Sequence, residues 1–368
     1  MSWNDKDLSA QPGIDLASGR PAAWLFDSEG SRHVVHLGFG ATPGQAGSLD
    51  EWFDHRDLAW DEHSLLVDLD APLAESNPRA YAFESQRTQH VVYTAVGQFG
   101  HVHELWWGDG DWHHNDLTDA AGSPLASGLP QGYAFEPGTE SSQHVVHRDT
   151  SGHLIELAFS GSSWRWYDLT AQTGAPQPIG DPFGYAFDQQ GTQHVVYRDE
   201  QQGIQELWWD TSGWHPGSLT AATGAPPPAS DPVGYTFVSQ GTQHVTYVGT
   251  DGHIHELSWG AAGWAHNDLT ALTGAVEPTG FGAPAAYPFD PALGVPVPTR
   301  HVQYAGLDDH LHELWWDASG WHAEDLTVQV GLPPIDEHPA GFADATTGTQ
   351  LVFAVDTVHH LHALTWTP

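Results

Sequence analysis

The chain has no cysteine, one methionine and one lysine, Lys6. Without cysteine it forms no disulfide and offers neither a thiol nucleophile nor a thiolate metal ligand, a composition at home in a reducing compartment. Ten basic residues stand against 47 acidic ones, a formal charge of −37. Such a surface repels a phosphate backbone and an anionic bilayer, so nucleic acid and membrane are not expected partners. The acidity reads as a solubility device. No apolar run reaches membrane-spanning length. Met1 to Asp7 lacks the basic and apolar segments of a secretory leader. The expected location is cytoplasmic as synthesised, with release by a non-classical route the alternative. Also missing are a Gly-x-Ser-x-Gly elbow, a phosphate-cradling glycine loop opening a helix, and helical periodicity of useful length.

What the sequence does have is repetition. A unit reading roughly Gly-Tyr-Ala-Phe, Gln-His-Val-Val-Tyr, His-Ile-His-Glu-Leu-Trp-Trp and Gly-Trp-x-x-x-Asp-Leu-Thr recurs along the chain. Its last tryptophan falls at Trp3, Trp60, Trp112, Trp164, Trp214, Trp264 and Trp321, a spacing of 50 to 57 residues. The copy from Gly341 to Pro368 ends at Leu364-Thr365-Trp366 and never supplies its fourth segment. That segment stands at the other end of the chain, as Trp3-Asn4-Asp5-Lys6-Asp7-Leu8. A ring closed by its own first strand accounts for this arrangement, and an open solenoid does not.

Each unit holds four short runs rich in Val, Ile, Tyr, Trp and Phe, separated by turns such as Thr250-Asp251-Gly252. These read as antiparallel strands joined by hairpins, with Pro-rich links between units. The expected fold is all-β, a seven-bladed β-propeller of four-stranded antiparallel blades. The blades span residues 22–79, 80–131, 132–183, 184–233, 234–285, 286–340, and 341–368 joined by 1–12. Small residues in the first strand (Gly184, Ala186) and Trp208, Trp209 and Trp214 in the outer strands suit a wedge that is crowded at the axis.

The recurrent polar residues are a histidine opening the second strand and a glutamate in the third. They are His33 and Glu51, His90 and Glu104, His144 and Glu156, His194 and Glu206, His244 and Glu256, and His301 and Glu313. The seventh copy has Leu351 and Ala363 instead. Pairs like these can be internal hydrogen-bond networks tying strands together. They can equally be ligand groups, since neutral histidine and carboxylate both bond hydroxyls. Whether His and Glu share a sheet face depends on turn length, and both outcomes are open at this level. The 18-residue separation in the first blade, against the usual 12, is expected to disturb that pair.

Gln193-His194-Val195-Val196-Tyr197-Arg198, Gly203-Ile204-Gln205-Glu206-Leu207-Trp208-Trp209 and Gly213-Trp214 resemble the repeat of the fungal fucose-binding propeller lectins. The stretch Asp251 to Trp259 resembles the Asp-Gly-His-Ile-His-Glu-Leu-Trp unit of bacterial seven-bladed propeller lectins. The resemblance spans the whole chain and implies a lectin with several shallow sites between blades. In the fungal family an Arg and a Glu grip the sugar over a stacking aromatic; here His stands at the Arg position. The sugar-binding residues it implies are His90, Glu104 and Trp107; His144 and Glu156; His194, Glu206 and Trp209; His244, Glu256 and Trp259; and His301, Glu313 and Trp316. Ala158-Phe159 and Ser258-Trp259 replace Trp-Trp in the third and fifth blades, so the sites using Glu104, Glu206 and Glu313 are expected to be the strongest.

Glycans or other small molecules are the expected partners, with no cofactor. His-x-His-Glu at His101, His253 and His310 has metal-like spacing, but exposed hairpin histidines explain it and no metal is expected. A small-molecule cyclase or lyase is the alternative, at an axial mouth where symmetry breaks. The breaks are Gly38 to Asp50 with Asp54-His55-Arg56-Asp57, and Pro291 to Thr299. A protein-binding scaffold is the default if neither reading holds.

Overall fold

The computed structural model describes residues 2–10, 16–39, 47–57, 59–67, 69–138, 140–280, 282–290, 298–336 and 338–368. Seven four-stranded antiparallel sheets are arranged as the blades of a β-propeller. The fourth blade shows the plan, with strands Phe183–Phe187, Thr192–Arg198, Ile204–Asp210 and Gly213–Ser218 in spatial order. Its first strand contacts the first strands of both neighbouring blades. The seventh blade takes Ala340–Asp344, Thr349–Val355 and Leu361–Thr367 from the end of the chain and Ser2–Asp7 from its start. Ser2–Asp7 pairs antiparallel with Leu361–Thr367, setting Trp3 opposite Trp366 and Lys6 opposite Ala363. Trp3 and Leu8 are buried by this pairing.

Tapering toward the axis is achieved by glycine. A Cβ on Gly184 would lie 2.4 Å from the ring of Tyr133, and one on Gly234 would lie 2.2 Å from Tyr185. Each tyrosine therefore lies flat on the backbone of the following blade and reaches past it. Tyr133 donates its hydroxyl to Gln193 Oε1 at 3.1 Å, and Tyr185 to Gln243 at 3.3 Å. The apolar core likewise spans blade boundaries, with Tyr185 and Val196 packing against Val245, Tyr247 and Leu257.

Among the described residues, five one-turn helices follow the fourth strands, at Leu117–Ala121, Leu169–Thr173, Leu219–Thr223, Leu269–Thr273 and Leu326–Val330. A single turn has no periodicity to detect. The Asp-Leu-Thr signature is its cap: the side chains of Asp116, Asp168, Asp268 and Asp325 each accept a backbone N–H of the first turn. No helix among the described residues is long and apolar enough to cross a membrane.

The symmetry breaks have a structural use where they are described. Arg56 pairs with Asp344 of the seventh blade at 2.9 Å and with Asp27 of the first, stapling the closure. Residues 40–46 and 291–297, the bulk of the two insertions, lie outside the described residues.

His147 occupies a buried position that Tyr93, Tyr197, Tyr247 and Tyr304 hold in other blades. Those hydroxyls donate to a link carbonyl, as Tyr197 does to Pro176 O at 2.9 Å, whereas His147 Nε2 has no partner. Burial pushes the His147 pKa down to about 4. The unfolded chain takes up the proton near pH 6.5, so this group's contribution is present above that pH and is lost as pH falls toward 4. Its full size is on the order of 3 kcal/mol. His147→Tyr is expected to remove that component, so urea denaturation at pH 7 and pH 4.5 should show a smaller acid loss than in the parent chain. An unchanged difference would refute the assignment.

Candidate functional site

The candidate site is built from alternation along strands. In Thr192–Arg198, Gln193 and His194 point to opposite faces; in Ile204–Asp210, Glu206 and Trp208 share a face and Trp209 takes the other. The register sets His194 opposite Trp208 and Val196 opposite Glu206, which brings His194 and Glu206 diagonally together. His194 Nδ1 lies 2.9 Å from Glu206 Oε1 and Nε2 lies 2.9 Å from Thr192 Oγ1. An ionised carboxylate only accepts, so Nδ1 carries the proton and the threonine hydroxyl donates to Nε2. Tyr185 stacks on the imidazole at 5.0 Å between centroids.

The same pair forms in six blades, at 2.8 Å for His33–Glu51 and 2.9 Å for His90–Glu104, His144–Glu156 and His301–Glu313, with His244–Glu256 at 3.0 Å. The expectation that the long first-blade separation disturbs its pair is therefore corrected. Separations of 18, 14 and 12 residues are all even, so each lengthening keeps both side chains on one face. The pairs are buried, with His194 and Glu206 4% and 5% exposed. They form the floor of each groove, tied together as the structural reading required.

Three of these floors open into cavities between blades. The cavity of about 250 Å³ between blades four and five is lined by Thr192, His194, Glu206 and Trp208, then by Gln243, Trp259 and Trp264 of the next blade. One of about 430 Å³ joins His144, Glu156 and Tyr167 to Gln193, Trp209 and Trp214. One of about 410 Å³ joins His301, Glu313 and Trp315 to Gln350, Trp366 and the closing strand's Trp3. The two larger cavities fall within the roughly 300–1,000 Å³ usual for small-molecule sites, and the one between blades four and five is somewhat smaller.

The geometry distributes the candidate residues between neighbouring grooves. Trp209 belongs with His144 and Glu156, and Trp259 with His194 and Glu206. Trp107 turns toward the first blade, where its Nε1 donates to Glu29 at 3.2 Å, and Trp316 meets Phe237 of the fifth. Each Gln-His and Trp-Trp doublet thus serves two grooves. The neighbouring glutamine and the fourth-strand tryptophan were missed; strand alternation was the signal that would have found them.

Two grooves differ. The one between blades seven and one faces Leu351 and Ala363, both buried apolar residues. Between blades five and six the glutamine position is Arg300. Its Nη1 donates to Glu256 Oε1 at 2.8 Å and lies 2.7 Å from His244 Nδ1. Its guanidinium covers Trp316 at 4.4 Å. Burial and then the Arg300 charge hold the His244 pKa down, against the attraction of Glu256. Burial alone would raise that of Glu256, but His244, Arg300 and Asn267 together bring it below the usual value. This groove is filled by the protein's own cation.

The axial cavity, about 190 Å³, is lined by Arg20, Arg79 and His338 together with Asp181 and Asp231, which hold one position in successive repeats. Arg20 donates to Ala283 O at 3.0 Å, and burial, then Arg79, lower its pKa to about 9. Asp231 is held by Arg198 at 2.7 Å. The His-x-His pairs also differ from expectation: His103, His255 and His312 are buried, and only the first histidine of each pair is partly exposed.

Fold and grooves together define a seven-bladed propeller with a repeated, aromatic-walled groove between blades. No protein-family model and no curated protein sequence matches the chain. Solved structures do. AofleA from Arthrobotrys oligospora superimposes with a TM-score of 0.60 at 15% identity, over 88% of this chain and 90% of that one. The Aleuria aurantia lectin in complex with alpha-methyl-L-fucoside gives 0.58 at 14%, over 84% and 96%. A further structure of that lectin is described as six-bladed with a novel fucose recognition mode, so this chain has one blade more.

Proposed function

We propose that the chain is a non-enzymatic carbohydrate-binding protein that takes small sugars, fucosides among them, in the grooves between its blades. The observation that carries the proposal is the recurrence in three open cavities of one set: a His–Glu pair, a glutamine from the next blade and two or three indole faces. Hydroxyls need fixed donors and acceptors, and the C–H face of a sugar needs an aromatic wall. The structural likeness to a lectin crystallised with a fucoside supports the same reading. The polar wall differs from an arginine-based one, so the sugar is met by carboxylate and amide groups, with the imidazole holding the carboxylate from behind.

The His–Glu pair is present in six blades, and Arg300 fills the groove of one of them, which leaves five grooves for ligand. The groove over Glu104 has Phe159 where others have tryptophan and should be weaker than those over Glu206 and Glu313. A glycan array followed by calorimetry on each hit tests the proposal. The expected result is weak binding with more than one ligand per chain. Silence across neutral and acidic sugars at millimolar concentration rejects it.

Arg300→Gln provides an internal check. Glutamine restores the residue that Gln243 and Gln350 supply elsewhere and withdraws the guanidinium from Glu256 and Trp316. The calorimetric stoichiometry is expected to rise by one, with the existing sites unchanged. An unaltered stoichiometry in a folded variant would show that the fifth groove is closed for another reason.

A further inference from the structure

On the opposite face of the same third strands, the side chains assemble a different chemistry. In blade six, His312 follows the groove on the strand Leu311–Asp317, and successive strand residues point to opposite faces, so His312 turns away from Glu313. There it meets Asp308 and His310 of the hairpin and Asp325 at the end of the fourth strand. One ligand atom from each of the four lies within 4.8 Å of all the others. His310 Nδ1 is 2.8 Å from Asp325 Oδ2 and 3.8 Å from Asp308 Oδ2; His312 Nε2 is 3.2 Å from that same Asp308 oxygen. A tetrahedral zinc ion with ligand bonds of about 2.0–2.1 Å needs ligand atoms about 3.3 Å apart, midway through this range. Tyr304 stacks on the His312 ring at 5.5 Å and fixes its direction.

The arrangement recurs at Asp251, His255 and Asp268 of blade five, and at His101, His103 and Asp116 of blade two. Blade two supplies an independent sign. Its hairpin has no acidic residue between Thr94 and His101, so nothing plays the part of Asp308. His103 is 1% exposed, its Nδ1 faces His114 at 3.0 Å, and its Nε2 has no hydrogen-bond partner. That nitrogen lies 3.9 Å from Asp116 Oδ2, which His101 Nδ1 approaches to 2.8 Å. A buried imidazole nitrogen without a partner is costly and rare. A cation seated between His101, His103 and Asp116 satisfies it.

We propose that these hairpin ends are binding sites for a divalent transition metal of the zinc class. The four-ligand site of blade six is the tightest, and the three-ligand sites of blades two and five keep a position open to water. Imidazole nitrogen with carboxylate oxygen suits zinc, nickel or copper over magnesium or calcium. The sites sit at hairpins and helix starts, apart from the sugar grooves, so metal and glycan bind independently.

The test uses the full chain without a histidine tag, stripped with chelator and titrated with Zn²⁺, Co²⁺ and Mg²⁺. The expected result is saturable Zn²⁺ binding at micromolar concentration or below, and visible d–d bands of tetrahedral intensity with Co²⁺. His310→Ala should remove one equivalent, as should Asp325→Asn made separately, with melting in chelator showing that both variants fold. Glycan binding should be unchanged in both. Equal binding of Mg²⁺, no saturable Zn²⁺ binding, or a stoichiometry untouched by both substitutions would overturn the proposal.

Discussion

Removing residues 1–10 should cost this protein far more than a ten-residue trim of a terminus normally does. The deletion strips the outer strand from the seventh blade, with its six register pairs, and exposes the faces that Trp3 and Leu8 cover. Loss of one buried tryptophan alone costs about 3–5 kcal/mol. It also frees the edge of Leu361–Thr367 and the contacts of His360 with Asp7 and His362 with Asp5, at 2.8 and 3.0 Å. An open strand edge beside bare apolar surface invites aggregation. Thermal melting should fall by roughly 5–15 °C, with precipitation on heating. A melting temperature within about 3 °C of the parent would show that the closure contributes little.

Glu206→Gln should delete one sugar site and leave the others standing. Glu206 is the buried acceptor of His194 and lines the cavity between blades four and five. Bonds to a charged group contribute about 1.5–3 kcal/mol, so affinity at that groove should drop roughly 10- to 150-fold. Calorimetry would then report one ligand fewer per chain at unchanged affinity for the rest. A parent stoichiometry of one, indifferent to this substitution, would move the ligand to the axial cavity and its Arg20 and Arg79.

The ring, the blade count and the closing strand were legible because each rests on a pattern repeated along the chain. Trp3 falls where a missing segment required it, and Gly184 and Gly234 stand where a tapering sheet needs no side chain. The lining of the grooves was legible as a set of residue types, but not in its grouping. Repeats reveal what each blade contains; a groove is made of halves from two blades, and only alternation along Gln193-His194 and Trp208-Trp209 assigns those halves. Arg300 shows the limit in the other direction. At its position the repeat changes by one residue, and the consequence depends on where a long side chain folds back, here onto Glu256 and Trp316. The hairpin histidines were misread because exposure followed from their place in a turn, while Tyr304 and its equivalents cover the second ring of each pair.

The pairing of Ser2–Asp7 with Leu361–Thr367 also sets an order of events during synthesis. The closing strand is made before the rest of the ring, and the strand it pairs with is made after it. At about 5–20 residues per second, the 368-residue chain holds that strand unpaired for roughly 20–70 s. Through that interval Trp3 and Leu8 are apolar groups on a free segment, beside the only lysine of the chain. Six blades can form and stack as they appear, yet the seventh waits for Leu361–Thr367. A fold built locally, blade by blade, thus ends on a contact between its two most widely separated strands.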